Sequence, residues 1–165
     1  MSACPTNFLQ PSNFKVAIDR VNLPNIEFLI NVAQHPSVTM DATTNVSRPR
    51  IQNYPFPGEA LQFAEVSFEM MLDEDMAAYR EIFDWMKRVA KNVYTLPTKE
   101  TDVLLSSEED IRLLIYTSAN VLGRTITYKN AFPTNLGDIA FNANVASTEV
   151  LSVNVSFAYS EFEIT

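Results

Sequence analysis

Val66-Ser67-Phe68-Glu69-Met70-Met71-Leu72-Asp73-Glu74-Asp75-Met76-Ala77-Ala78-Tyr79-Arg80-Glu81-Ile82-Phe83-Asp84-Trp85-Met86 changes its hydrophobic period partway along. Val66, Phe68, Met70 and Leu72 alternate with Ser67, Glu69 and Met71, the period-two signature of a strand with one buried face. Beyond the acidic Asp73-Glu74-Asp75 step, Met76, Tyr79, Ile82, Phe83, Met86 and Ala90 recur at helical spacing. Arg80, Glu81, Asp84, Lys87 and Lys91 fill the other face, so the pattern predicts one amphipathic helix over about 75–91. Asp73 is its expected N-cap, Glu74 and Asp75 its first-turn charges, and Lys87, Arg88 and Lys91 suit the C-terminal end of the dipole. The predicted apolar face places Phe83 in the core and leaves Trp85 off the centre of the stripe.

Upstream of this unit Leu61 and Phe63 are out of phase by one residue, which predicts a β-bulge near Ala64-Glu65. Residues 14–18 and 26–32 flank a turn-like Asn22-Leu23-Pro24-Asn25 and read as a hairpin. Residues 40–58 are rich in Thr, Asn, Ser and Arg, carry Pro49, Pro55 and Pro57, and hold isolated Val46, Ile51, Tyr54 and Phe56. A structureless stretch of that length inside a domain is usually functional. Downstream, strands are expected over 111–116, 124–131 and 139–141. The last strand is long, with Leu151, Val153, Val155, Phe157 and Tyr159 alternating with Ser152, Asn154, Ser156, Ala158 and Ser160. The sum is six or seven antiparallel strands with one helix, a mainly β (α+β) barrel or sandwich in one domain over 1–165.

A chain of 165 residues, 47% hydrophobic and 19% charged, is long enough to bury a core and unlike a disordered segment. Twenty acidic residues against twelve basic ones give a net charge of −8, which opposes the basic footprint that tight nucleic-acid binding requires. No apolar run approaches the length of a spanning helix, so membrane insertion is not expected. A lone Cys4 and no signal-like start read as a cytosolic product.

Catalytic patterns are missing. The one histidine, His35, precedes Pro36 and reads as a loop or interface residue. Gly58, Gly123 and Gly137 are too few and too scattered for a phosphate-cradling loop or a nucleophile elbow. Asp73-Glu74-Asp75 lacks the glycine and distal glutamate of a calcium loop, and Glu108-Glu109-Asp110 reads as a solvated turn. No catalytic residue, metal ligand or cofactor is expected, and the chain does not read as an enzyme.

The strand exit and Trp-bearing helix, residues 72–86, resemble the tail tube proteins of contractile-tailed bacteriophages. Phe132-Pro133-Thr134-Asn135-Leu136-Gly137-Asp138, followed by the closing strand to Phe162, is similar to that family's Pro-Thr-Asn turn, and residues 13–32 fit its opening hairpin. The resemblance implies a structural virion protein of the tail, made in the host cytoplasm, whose homohexameric rings stack into a tube. It implies as partners the tail sheath, a baseplate hub or tube initiator, a tape-measure protein and a tail terminator, with DNA passing through the lumen without specific binding. Residues 40–58 occupy the place of the family's long loop, which reaches neighbouring subunits and the adjacent ring. Val46, Ile51, Tyr54 and Phe56 are then expected as anchors, and Arg48 and Arg50 as ion-pair partners across that contact. If subunits close into a ring, Glu65, Ser67, Glu69, Ser152, Asn154 and Ser156 are the lumen-facing candidates, since they are the polar halves of the two longest alternating segments. A baseplate tube initiator of the same fold is the alternative within the family. A β-barrel holding a small apolar ligand is the alternative outside it.

Overall fold

The computed structural model describes residues 8–18, 23, 25–44, 55–94, 108–142 and 150–165. In chain order these form β1 (Phe14–Ala17), α1 (Ile26–Leu29), β2 (Ile30–Gln34), β3 (Val38–Thr44), β4 (Pro55–Phe63), β5 (Val66–Met71), α2 (Ala77–Tyr94), β6 (Glu109–Tyr116), β7 (Leu122–Leu136), β8 (Ser152–Ala158) and β9 (Glu161–Ile164). A seven-stranded sheet runs β1-β6-β7-β8-β5-β2, with β9 on β7, and β3 with β4 makes a separate two-stranded arm. Every pairing is antiparallel. The sheet does not close, since β1 and β2 end the path. The architecture is therefore the sandwich-like form of the expected class rather than a barrel.

β7 is long enough to serve both halves of this sheet. Its first part lies between β6 and β9, and its last residues pair with β8. The two parts are joined by a bulge at which Glu109 faces Ala131 and Ile111 faces Tyr128. Asn130 sits in that bulge at φ 52°, a left-handed conformation that Asn tolerates better than most residues. Its amide donates to Asp110 Oδ1 at 3.1 Å and its side-chain amide to Ser160 Oγ at 3.4 Å. The extra residue shifts the inward phase from Ile126 and Tyr128 to Ala131 and Pro133, so one strand keeps an apolar face across the bend.

The core lies between this sheet and α2. Val16, Ile111, Leu113, Ile126 and Tyr128 enter from one half, Val66, Phe68, Met70, Val153, Val155 and Phe157 from the other, and Ala78, Ile82 and Trp85 from the helix. Trp85 and Phe68 both lie against Phe157, with ring centroids 5.6 and 5.7 Å away. The strand predictions for β5 and β8 hold, with Val66, Phe68 and Met70, then Val153, Val155 and Phe157, all buried.

The helical face agrees with the predicted one at Ile82, Tyr79 and Met86, which pack on the core, and differs from it at Phe83 and Trp85. Trp85 is fully buried, whereas Phe83 is 47% exposed beneath Lys87, whose Nζ lies 4.1 Å from the ring centroid. The buried stripe runs Ala78, Ile82, Trp85 and partly Val89, a helical spacing rotated from Met76-Phe83-Ala90. The helix also starts at Ala77, later than expected. Met76 rather than Asp73 holds the N-cap position, since its carbonyl accepts the Arg80 amide at 3.0 Å; Asp73 Oδ2 accepts the Ala77 amide at 3.2 Å from the turn before the helix, where Glu74 and Asp75 also lie.

Other local expectations also change. The strands read as an opening hairpin do not pair with each other: β1 joins β6 and β2 joins β5, at opposite ends of the sheet. Ile26–Leu29 is a helical turn instead, with Ile26 buried and the Asn25 side chain donating to Glu81 Oε1 at 2.5 Å. The phase slip at Ala64-Glu65 is not a bulge but the crossing from the arm to the main sheet. Residues 40–44 and 55–58 are strand rather than structureless loop. Residues 139–141 form no strand, because the strand predicted to stop at Ala131 runs on to Leu136.

Candidate functional site

Five of the six lumen-facing candidates, Ser67, Glu69, Ser152, Asn154 and Ser156, come from two segments far apart in sequence, and β5 and β8 bring them side by side. Ser67 faces Ser156, Glu69 faces Asn154 and Met71 faces Ser152. Val66, Phe68 and Met70, with their partners Phe157, Val155 and Val153, point into the core. Alternation therefore sends all the polar partners outward. β2 and β7 extend this face, as Gln34 lies opposite Ser67 and Asn135 opposite Ser156. Side-chain hydrogen bonds knit it across strands: Ser152 Oγ donates to Glu69 Oε1 at 2.5 Å and Ser67 Oγ to Gln34 Oε1 at 3.1 Å. Glu65 is exposed in the crossing just before β5, at the margin of the face. Gln34 and Asn135 were not foreseen from the sequence. β2 is too short to show a clear alternation, and Asn135 follows an irregularity in the β7–β8 register.

Lysine and arginine are missing from β2, β5, β8 and the last five residues of β7. The basic groups of the sheet lie elsewhere. On the β7–β9 pair, Lys129 Nζ donates to Glu161 at 3.0 Å and Glu163 at 2.6 Å, and its bonds to Glu163 and Glu161 hold its ammonium pKa above the ordinary value. A face without cations offers a polyanion no charge attraction.

The contact residues foreseen at Val46, Arg48, Arg50, Ile51 and Tyr54 lie outside the described residues. Phe56 lies on β4, its backbone opposite Thr43. Described parts of the arm show a face of their own: Val38 faces Phe63 and Met40 faces Leu61, and all four remain substantially exposed. Their opposite side is polar, with Gln62 Nε2 donating to Asp41 Oδ2 at 2.7 Å. An isolated two-stranded ribbon is marginal in water, and this one is rooted on an aromatic cluster. Phe63 lies 5.6 Å from Phe162 and 6.1 Å from Tyr159, while His35 meets Phe162 edge-on at 5.0 Å. His35 Nδ1 is 2.8 Å from the Tyr128 hydroxyl. Burial lowers the His35 pKa and, with Tyr159 nearby, raises that of Tyr128.

None of this is catalytic geometry. Among the described residues no cluster of three or more His, Cys, Asp or Glu is arranged to hold a metal ion, and no helix is long and apolar enough to cross a membrane. Among the described residues the interior holds side chains where the small-ligand alternative needs a chamber. Trp85, Tyr128, Phe68 and Phe157 fill the space between sheet and helix, and depressions of about 410 and 400 Å³ lie at the surface, by Glu108–Arg112 and by Phe8 with the β6–β7 turn.

No curated protein matches the chain. Among solved structures, a chain of the PVC extracellular contractile injection system, from its extended sheath–tube complex, aligns with TM-score 0.63 at 18% identity, over 97% of this chain and 93% of that one. A chain of the tube-terminating cap of the anti-feeding prophage aligns with TM-score 0.64 at 16% identity, over 100% and 95%. A chain of the six-fold symmetrised baseplate of that prophage aligns with TM-score 0.64 at 14% identity, over 100% and 97%. These likenesses establish a shared fold. A family model described as phage tail tube protein matches residues 5–165. The chain therefore belongs to the phage tail tube protein family, as a structural component of a phage-like tail and not an enzyme.

Proposed function

We propose that identical subunits close into hexameric rings and that the rings stack into a tube whose lumen is lined by the outer face of β2, β5, β8 and the end of β7. The observation that carries this reading is the cation-free polar face on which Ser67, Glu69, Asn154 and Ser156 stand in register. Hydroxyl and amide groups hydrate such a wall without holding phosphate, and the glutamates add a repulsion screened beyond about 8 Å at physiological salt. DNA then slides through the lumen during ejection without specific binding. The outer edges of β1 and β2, which no other described strand pairs, become joints when a neighbouring copy completes them.

The arm supplies the second contact. Its exposed apolar side, Val38, Met40, Leu61 and Phe63, is suited to burial against the next subunit or ring, and residues 45–54, with Val46, Arg48, Arg50, Ile51 and Tyr54, extend that contact. The sheath surrounds the tube, and a baseplate initiator and a terminator bound its ends. Support comes from the family match and from relatives found in a sheath–tube complex, a cap and a baseplate. Light scattering coupled to gel filtration at rising concentration tests the assembly. Hexamers or larger multiples of the subunit mass agree with it, and a monomer at every concentration overturns it.

A further inference from the structure

We propose that His35 is a pH-sensitive pin at the root of the β3–β4 arm: the arm is held on the main sheet while the imidazole is neutral and is loosened when it is protonated. Two chain crossings join arm to body, residues 35–37 leading out and 64–65 leading back, and they are tied by the Ala64 amide bonded to the Ser37 carbonyl at 3.1 Å. On either side of this tie one ring docks on the same aromatic cluster. Phe63 packs on Tyr159 and Phe162, and His35 on Phe162 and Tyr128. Among the described residues two rings seat the arm on the body, and only one of them titrates.

The hydrogen bond sets the direction of the switch. Tyr128 is fully buried, and its phenol stays protonated because burial and Tyr159 push its pKa up. That hydroxyl proton needs an acceptor, and His35 Nδ1 at 2.8 Å provides one when the imidazole proton sits on Nε2. Protonation turns Nδ1 into a donor and leaves the buried phenol proton without its acceptor, a costly state in an apolar cluster. Among the described residues no charged side chain faces the ring. From β7 the facing group is Tyr128, from β9 it is Phe162, from β4 it is Phe63, and Tyr159 follows β8. Lys129, Glu161 and Glu163 alternate with these rings onto the opposite side of the β7–β9 pair. Glu65, in the return crossing, is exposed to solvent. Burial lowers the docked pKa of His35 below 6.5. The docking preference is therefore complete above the pKa of the free imidazole and is lost as pH falls through the docked one.

Hydrogen exchange on the full chain as a dilute subunit, at pH 7.5 and pH 5 with intrinsic exchange rates corrected, tests this. Amides of β3 and β4 should lose protection several-fold at pH 5, because protonation favours the undocked arm. Amides of β5 and β8 should not change. In His35→Phe, which keeps a ring but cannot titrate, the pH dependence of the arm should vanish. In Tyr128→Phe, which removes the phenol proton, it should shrink. Equal arm protection at both pH values in the unaltered protein, or an undiminished pH response in either variant that folds, would overturn the proposal.

Discussion

Ser152 donates its hydroxyl to the Glu69 carboxylate at 2.5 Å, two residues along β8 from Asn154, the register partner of Glu69. The bond ties β8 to β5 on the outer face, where no positive charge from β2, β5 or β8 competes for the carboxylate. Glu69 is thereby held within the polar face, and Glu65 stands exposed at its margin. Replacing both by lysine turns two negative groups per subunit into two positive ones. Tails carrying Glu65→Lys and Glu69→Lys should assemble yet eject DNA more slowly, with the delay relieved by added salt as counterions compete for phosphate. Ejection kinetics measured over a salt series check this, and wild-type rates in fully assembled variant tails would place these residues off the channel.

Trp85 and Phe83 make a paired test of the helix. Trp85 lies buried against Phe157, so Trp85→Ala should cost about 3–5 kcal/mol through lost transfer energy and a cavity. Phe83 is half exposed under Lys87, and Phe83→Ala should cost less than about 1 kcal/mol, as surface substitutions do. Urea unfolding of the two variants at equal subunit concentration gives both values.

That contrast also marks how far the sequence alone reaches. Strict alternation in 66–72 and 151–159 made β5 and β8 legible, and with them the polar candidates Ser67, Glu69, Ser152, Asn154 and Ser156, because each strand has one buried face. The α2 stripe was harder, since Phe83 and Trp85 are both large and apolar enough to claim the core. Only the position of Phe157 across the interior decides between them. Pairing partners were least legible: β1 meets β6 nearly a hundred residues away, and nothing local encodes such a contact. A phase slip from Ile126 and Tyr128 to Ala131 and Pro133, with Asn130 between, does signal the β7 bulge in the sequence.

Asn130 should be replaceable by one residue type in particular. Asn130→Gly keeps the left-handed backbone at little cost, apart from the lost contact to Ser160, whereas Asn130→Val forces a β-branched residue into that region at about 1–3 kcal/mol. Thermal unfolding of the two variants compares them directly.

Gly58 lies in the arm where a Cβ would overlap the Asp41 carbonyl oxygen, a clash no side chain tolerates. Gly58→Ala should disturb the β3–β4 pairing while leaving the main sheet folded. Amide chemical shifts should move in residues 38–44 and 55–63 and stay in place in β5 and β8, and polymerisation should be impaired. Shifts confined to Gly58 and its chain neighbours would show that the arm accommodates the methyl group.

Removing residues 45–54 and bridging β3 to β4 with a short turn should leave a folded subunit that no longer polymerises. Circular dichroism reports the first and sedimentation the second. Tubes formed by the shortened chain would show that this segment is not needed between subunits.

Cryo-electron microscopy of assembled protein tests the central claim most directly, because it shows which face of the sheet meets the channel. The account predicts six subunits per ring with Ser67, Glu69, Asn154 and Ser156 on the lumen wall and α2 on the outside. A tube with α2 or the Lys129–Glu161 face lining the channel, or assemblies without a central channel, would contradict it.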